Sequence, residues 1–189
     1  MDEDKAFESD FQIFPNQDFQ ISPSLMLEIG PGRGDFLFYL ATENPTEQIV
    51  AVEYKRKRFE KLIERVGKRE LKNVSLVLAN ARGAIPELFR EGQIGKLFIL
   101  YPDPWPKRRH GKNRLLQTEF LKMVCEKLQK GGLLHIETDD APYAAEIESS
   151  LKEITSLRPS QVTATRTIRT LYEEKMRGKR IFTFVYEKC

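Results

Sequence analysis

The chain carries 189 residues, with 31 Lys and Arg against 28 Asp and Glu, so its formal net charge is only +3. A chain of that length builds one domain whose core needs no disulfide or metal to hold it. Its two cysteines, Cys125 and Cys189, match neither a disulfide framework nor a zinc-ligand spacing, no apolar run is long enough to span a bilayer, and so small a charge does not by itself point to nucleic acid.

In chain order, the first ten residues, "MDEDKAFESD", are acidic and polar without the pattern of a secretory signal, and a cytoplasmic protein is the expectation. Residues 1–22 show no periodicity and read as a mobile arm, leaving 23–189 as a single domain. "LMLEIG" (25–30), "QIVAVE" (48–53), "VSLVLAN" (74–80), "KLFILY" (96–101) and "LLHIET" (133–138) are short, nearly continuous apolar runs. That is the pattern of strands buried on both faces of a parallel sheet. Between them, "DFLFYLA", "KRFEKLIERVGKRE", "ARGAIPELFRE" and "RLLQTEFLKMVCEKLQK" space their apolar residues at three and four, as amphipathic helices do. Gly131 and Gly132 stand where the last of these helices should close. A short strand near 161–167 and an aromatic, β-branched strand, "RIFTFVYE" (180–187), are expected to pair antiparallel at one edge. The predicted fold is α/β: a doubly wound, mostly parallel seven-stranded sheet with helices on both faces and an antiparallel strand near the C-terminus.

"EIGPGRGDF" leads from the first apolar run into the first helix and carries Gly30, Gly32 and Gly34. Glycine accepts positive φ and lets a ligand approach the backbone, and ligands of open α/β sheets bind outside the carboxyl ends of the strands. A dinucleotide fingerprint needs its third glycine at position 35, where this chain has Asp35. The lysine of a P-loop is also missing. With Glu28 and Asp35 beside it, the loop disfavours a pyrophosphate and suits a cation or zwitterion. S-adenosylmethionine, which has a sulfonium, an amino group and no phosphate, fits. Glu53, ending the second strand, is placed to accept hydrogen bonds from ribose hydroxyls. Asn80, in "NAR" after the third strand, suits an adenine edge or the N-cap of the next helix equally well.

The fourth strand runs into "PDPWPKRRHGKNR" (102–114), where Asp103 sits among Pro102, Pro104 and Pro106 and cations follow at once. Trp105 reads as an anchor for this loop in the core or as a stacking platform for a base. "KRKR" (55–58), "KRRHGKNR" (107–114) and "KMRGKR" (175–180) concentrate the positive charge; they form a phosphate-binding face only if the fold brings them together. His110 reads as a phosphate neighbour. His135, inside an apolar strand, reads as a satisfied core residue.

"LEIGPGRGDF" resembles motif one of the class I methyltransferases. Together with "PDPWPKRRHGKNR", "ETDDAPYA" and "TLYEEKMRGKRIF", the chain resembles the bacterial tRNA (guanine-N7)-methyltransferases over roughly residues 25–187. The resemblance implies a Rossmann-like class I methyltransferase fold and transfer of a methyl group from S-adenosylmethionine to N7 of the variable-loop guanosine at position 46 of tRNA. It implies a cofactor site at Glu28, Gly30, Gly32, Gly34, Glu53, Asn80 and Asp103, with Asp103 also the catalytic acid. Lys107, Asp139 and residues 170–173 (Thr170, Leu171, Tyr172 and Glu173) match substrate-contacting positions, and residues 109–114 match an RNA-contacting loop. Asn80 stands where the family has aspartate, and Gly111 and Asn113 interrupt a loop that is more uniformly basic in relatives.

The chemistry agrees with that inventory. Guanine N7 carries a free lone pair at neutral pH, so attack needs orientation and not a strong base. Positive charge then develops on the ring, where a fixed carboxylate, Asp103, stabilises it. Arg108, Arg109, His110, Lys112 and Arg114, with Lys107, would grip phosphates around a target base drawn out of its stack. Asp139, Thr170 and Glu173 would complete the rim. A monomer or homodimer without metal or membrane is expected. An RNA-binding module that retains the fold without turnover, or a methyltransferase acting on an amino group, remains the alternative at this level.

Overall fold

In this computed structural model, which describes residues 11–14, 22, 24–160, 174 and 178–189, the apolar runs become the parallel middle of one eight-stranded sheet. In chain order the elements are β1 (Gln12–Phe14), β2 (Leu25–Ile29), α1 (Asp35–Glu43), β3 (Gln48–Glu53), α2 (Arg56–Lys68), β4 (Val74–Leu78), α3 (Ala81–Leu88), β5 (Ile94–Leu100), α4 (Thr118–Lys127), β6 (Leu128–Thr138), α5 (Ala141–Lys152), β7 (Leu157–Pro159) and β8 (Phe182–Lys188). The strands lie in the order β1-β4-β3-β2-β5-β6-β8-β7. β2 to β6 are mutually parallel, and β1, β7 and β8 pair antiparallel with their neighbours.

Alternation along each strand divides the core in two. Leu27, Val50, Ile99 and Ile136 face one way and pack with Phe120, Val124 and Ile147 of α4 and α5. Met26, Ala51, Leu76 and Phe98 face the other way, under Phe36 of α1 and Phe59, Leu62 and Val66 of α2. The α2 helix buries just that apolar stripe and leaves its cations outside, as its spacing predicts. No helix among the described residues is long and apolar enough to cross a membrane. Among the same residues, no group of three or more His, Cys, Asp or Glu is placed to hold a metal.

Two expectations change, and a third falls outside the described residues. Within the stretch read as an arm, Gln12–Phe14 is a strand paired with β4 (Gln12↔Leu78, Phe14↔Leu76), which shields that edge of the sheet and raises the strand count to eight. The short strand beside β8 is Leu157–Pro159; residues 161–167 lie outside the described part. Finally, Gly131 and Gly132 do not close α4, which ends at Lys127. They lie in an irregular start of β6, where the register against β5 jumps from Ile94↔Leu128 to Lys96↔Leu133. A Cβ on Gly132 would come within 2.8 Å of the Gln129 carbonyl, so glycine is needed there for close passage.

Candidate active site

Because β2 to β6 are parallel, their carboxyl ends share one edge, and the order reverses beside β2, with β3 on one side and β5 on the other. Such a switch point opens a crevice in α/β sheets. The glycine loop follows β2, Glu53 ends β3, Asn80 follows β4, Asp103 follows β5 and Asp139 follows β6. Residues scattered through the sequence thus converge on one rim.

The loop's glycines divide their work. All three have positive φ: 73° at Gly30, 58° at Gly32 and 81° at Gly34. A Cβ at Gly34 would strike Leu62 at 2.6 Å and Phe38 at 2.7 Å, so this glycine seats α1 against α2. A Cβ at Gly30 would meet nothing within 4 Å, and at Gly32 only the Gly30 carbonyl at 4.0 Å. Those two therefore face open space, as a ligand-binding loop requires. Asp35 Oδ1 reaches Arg65 Nη2 of α2 at 3.5 Å, so its charge is partly engaged there and does not act on the loop alone.

Glu28 and Glu53 lie beneath the loop, 3% and 2% exposed. Glu53 Oε1 accepts the Lys55 amide at 2.8 Å, while its buried Oε2 has no hydrogen-bond partner among the described residues. Burial pushes the Glu53 carboxyl above its ordinary value; the Lys55 amide, the Arg58 charge, the Gly32 amide and the Lys55 charge pull it back down. An unsatisfied buried acceptor costs about 1–3 kcal/mol. A ligand presenting hydroxyl donors, such as a ribose diol, would relieve that cost, and the residues fit S-adenosylmethionine on this count. Asn80 caps α3, its Oδ1 accepting the Arg82 amide at 3.0 Å. The capping role is therefore realised.

Across the crevice, the Asp103 side chain is 70% exposed and its Oδ2 lies 4.0 Å from Lys55 Nζ. The backbone on either side is unusual, with φ of 51° at Tyr101 and 44° at Trp105. Trp105 does not anchor the loop in the core: it is 37% exposed, with its ring edge-on to His110 at 5.8 Å. Residues Arg108–Asn113 form a 3-10 turn that leaves Lys107, Arg109 and Lys112 exposed. Arg109 Nε also contacts His110 Nε2 at 3.2 Å. Arg114 departs from expectation because it is buried, 7% exposed, and turned inward toward α5. It is not available to a phosphate. Asp139 Oδ2 pairs with Lys179 Nζ at 3.1 Å. Thr170, Leu171, Tyr172 and Glu173 lie outside the described residues.

Lys55–Asp103 and Lys179–Asp139 bring members of all three basic runs to the same edge. The sequence reading missed Glu137. It is buried in β6, its Oε1 2.8 Å from His135 Nε2 and its Oε2 2.9 Å from the Tyr101 hydroxyl. His135 is thus held on one side, while its buried Nδ1 has no partner among the described residues. The available signal was a His-x-Glu pair on one face of an otherwise apolar strand.

A family described as "Putative methyltransferase" matches residues 22–183. Among curated proteins, the chain is similar to a tRNA (guanine-N(7)-)-methyltransferase of Aquifex aeolicus, 37% identical over 169 residues that cover 88% of this chain and 57% of that protein. It is also similar to one of Thermotoga maritima, 32% identical over 185 residues, 94% of this chain and 59% of that protein. The chain therefore spans less than two thirds of the length of these relatives. Among solved structures, a SAM-dependent methyltransferase from Aquifex aeolicus superposes with a TM-score of 0.62 at 17% identity, over 89% of this chain and 86% of that one. That likeness establishes the fold as the class I methyltransferase type, with eight strands here in place of the seven expected. With the match running from residue 22 to residue 183, across every parallel strand and both walls of the crevice, the chain belongs to this methyltransferase family.

Proposed function

We propose that this protein methylates N7 of a guanine in tRNA, the variable-loop guanosine at position 46, using S-adenosylmethionine as cofactor and acting in the cytoplasm through one domain, residues 23–189, to whose sheet Gln12–Phe14 adds an edge strand. The observation that carries the reading is the opposition of two walls. Buried Glu53, with its unsatisfied oxygen, lies on one side, and exposed Asp103, on a loop continuing into exposed cations, lies on the other. The activity of the similar Aquifex and Thermotoga proteins supports it.

When bound, S-adenosylmethionine supplies an electrophilic methyl group on a sulfonium. Glu28 places a buried carboxyl beneath the loop, and Glu53 accepts the ribose hydroxyls through Oε2. Gly30 and Gly32 leave room over the backbone for the ligand's body. Asp103 accepts hydrogen bonds from guanine N1–H and the exocyclic amine, which selects guanine, turns its N7 edge inward and stabilises charge developing on the ring. Lys107, Arg109 and Lys112 bind flanking phosphates without reading sequence. Trp105, exposed beside them, is positioned to stack on a base.

Unmodified tRNA incubated with methyl-labelled cofactor, then digested to nucleosides, tests the proposal. Label on 7-methylguanosine is expected. Label on an adenine or cytosine amino group would refute the N7 assignment, and absence of cofactor binding in calorimetry would favour an RNA-binding module without turnover.

A further inference from the structure

The Asp103 loop is gripped by two buried charged side chains that neither phosphate binding nor cofactor binding uses. Tyr101 and Trp105, two residues before and two after Asp103, both adopt left-handed backbone. For a residue with a bulky side chain that conformation costs about 1–2 kcal/mol, and such strain persists only where the surroundings impose it. At Tyr101 the restraint is Glu137. Its carbonyl accepts the Tyr101 amide at 2.8 Å, its Oε2 accepts the Tyr101 hydroxyl at 2.9 Å, and its Oε1 is fixed by His135 at 2.8 Å. At the other end the restraint is Arg114. Its Nε donates to the Pro104 carbonyl at 2.7 Å, and its Nη1 meets Glu146 Oε1 of α5 at 2.5 Å. The guanidinium lies over the Tyr143 ring, 4.9 Å from its centroid. Arg82 of α3 closes the assembly by donating to the Arg114 carbonyl at 2.5 Å.

We infer that Arg114 and the Tyr101–Glu137 pair are positioning residues. They hold the strained 101–105 segment in the one conformation that turns Asp103 toward the substrate, and they touch neither substrate nor cofactor. The catalytic half of this inference rests on the methyltransferase reading above; the structural half does not. Arginine is needed because a planar fork can serve Pro104, Glu146 and the Tyr143 face together, whereas lysine offers a point charge.

Trp105 is the chain's single tryptophan and lies inside the restrained segment, so its fluorescence reports loop geometry without any activity. Arg114→Lys and Tyr101→Phe are compared with the wild-type protein in Trp105 emission and acrylamide quenching, in thermal melting, and in kcat and KM for tRNA. Quenching is expected to change by about twofold and kcat to fall about tenfold, as misplacement of a reacting group by a fraction of an ångström requires. KM for tRNA and cofactor affinity should stay within about twofold of wild type. A raised KM with a shallower salt dependence and unchanged quenching would make Arg114 a phosphate ligand and overturn the inference. Changed quenching with unchanged kcat would overturn it as well. Tyr101→Phe removes a single oxygen and carries the test if Arg114→Lys does not fold. If the wild-type protein leaves guanine N7 unmethylated, the functional reading fails, while the quenching result still supports or overturns the restraint itself.

Discussion

Around Glu53 the backbone turns where glycine permits it, at Gly30, Gly32 and Gly34, whereas around Asp103 it turns at Tyr101 and Trp105, where side chains resist it. The first wall is sheet-bound and buried; the second is exposed and held by groups from β6 and from the segment that leads into α4. The glycine wall owes its shape to local chain chemistry. The Asp103 wall owes its shape to side chains distant in sequence, so it can be loosened without unfolding the sheet.

Six substitutions separate the walls, from the largest expected effect to the smallest. Asp103→Ala should lower single-turnover methyl transfer by about 100- to 1,000-fold, the usual loss for a group that stabilises transition-state charge, with tRNA affinity in filter binding nearly unchanged. A parallel loss of tRNA affinity would make Asp103 a binding residue only. Gly34→Ala should act on stability: left-handed strain plus collision with Leu62 and Phe38 amount to about 3 kcal/mol. The melting temperature should drop by roughly 6–12 °C for a chain of this size. Gly32→Ala, which meets open space, should instead weaken cofactor binding with a smaller change in melting.

Glu53→Gln should weaken cofactor affinity by about 10- to 100-fold in calorimetry, the worth of a hydrogen bond to a charged acceptor, and leave tRNA affinity alone. Its effect on the free protein has the opposite sign. Burial raises the Glu53 pKa, so the folded protein holds the proton more tightly than the unfolded chain, and ionisation at neutral pH destabilises the fold. The variant should therefore melt higher than wild type at neutral pH. That advantage should shrink as pH falls through the raised pKa and vanish below the ordinary carboxylate value of 4.5. Arg109→Ala and Lys112→Ala should each weaken tRNA binding modestly and reduce the salt-dependence slope by about one counterion, equally for different tRNAs. A base-specific effect would show that these cations do more than position the RNA.

The parallel strands and the glycine loop were legible in the sequence because their signals are local. Continuous apolar runs demand burial on both faces, and glycines at alternate positions mark a turn that other residues resist. Glu53 and Asp103 were legible for a related reason: each ends an apolar run, and parallel strands carry such ends to a common edge. Other features depended on neighbours the sequence does not reveal. For Trp105 the sequence left a core anchor and a stacking platform both open, and the structure puts it outside the core, where positive φ at that residue accompanies an exposed ring beside His110. Gly131 looked like a helix terminator and belongs to a strand irregularity set by β5.

By itself the sequence determined the five parallel strands and the helices between the first four, where the glycine turn falls and which acids end strands, since period, φ preference and side-chain charge are properties of a few consecutive residues. Tertiary structure alone decided that β8 enters between β6 and β7 and that described members of the basic runs share one edge. It also decided that Arg114 turns inward to Pro104 and Glu146 while its neighbours stay in solvent. A cation's fate depends on whether a distant carboxylate and an aromatic face are delivered to it, and only the packing of α5 beside this loop delivers Glu146 and Tyr143.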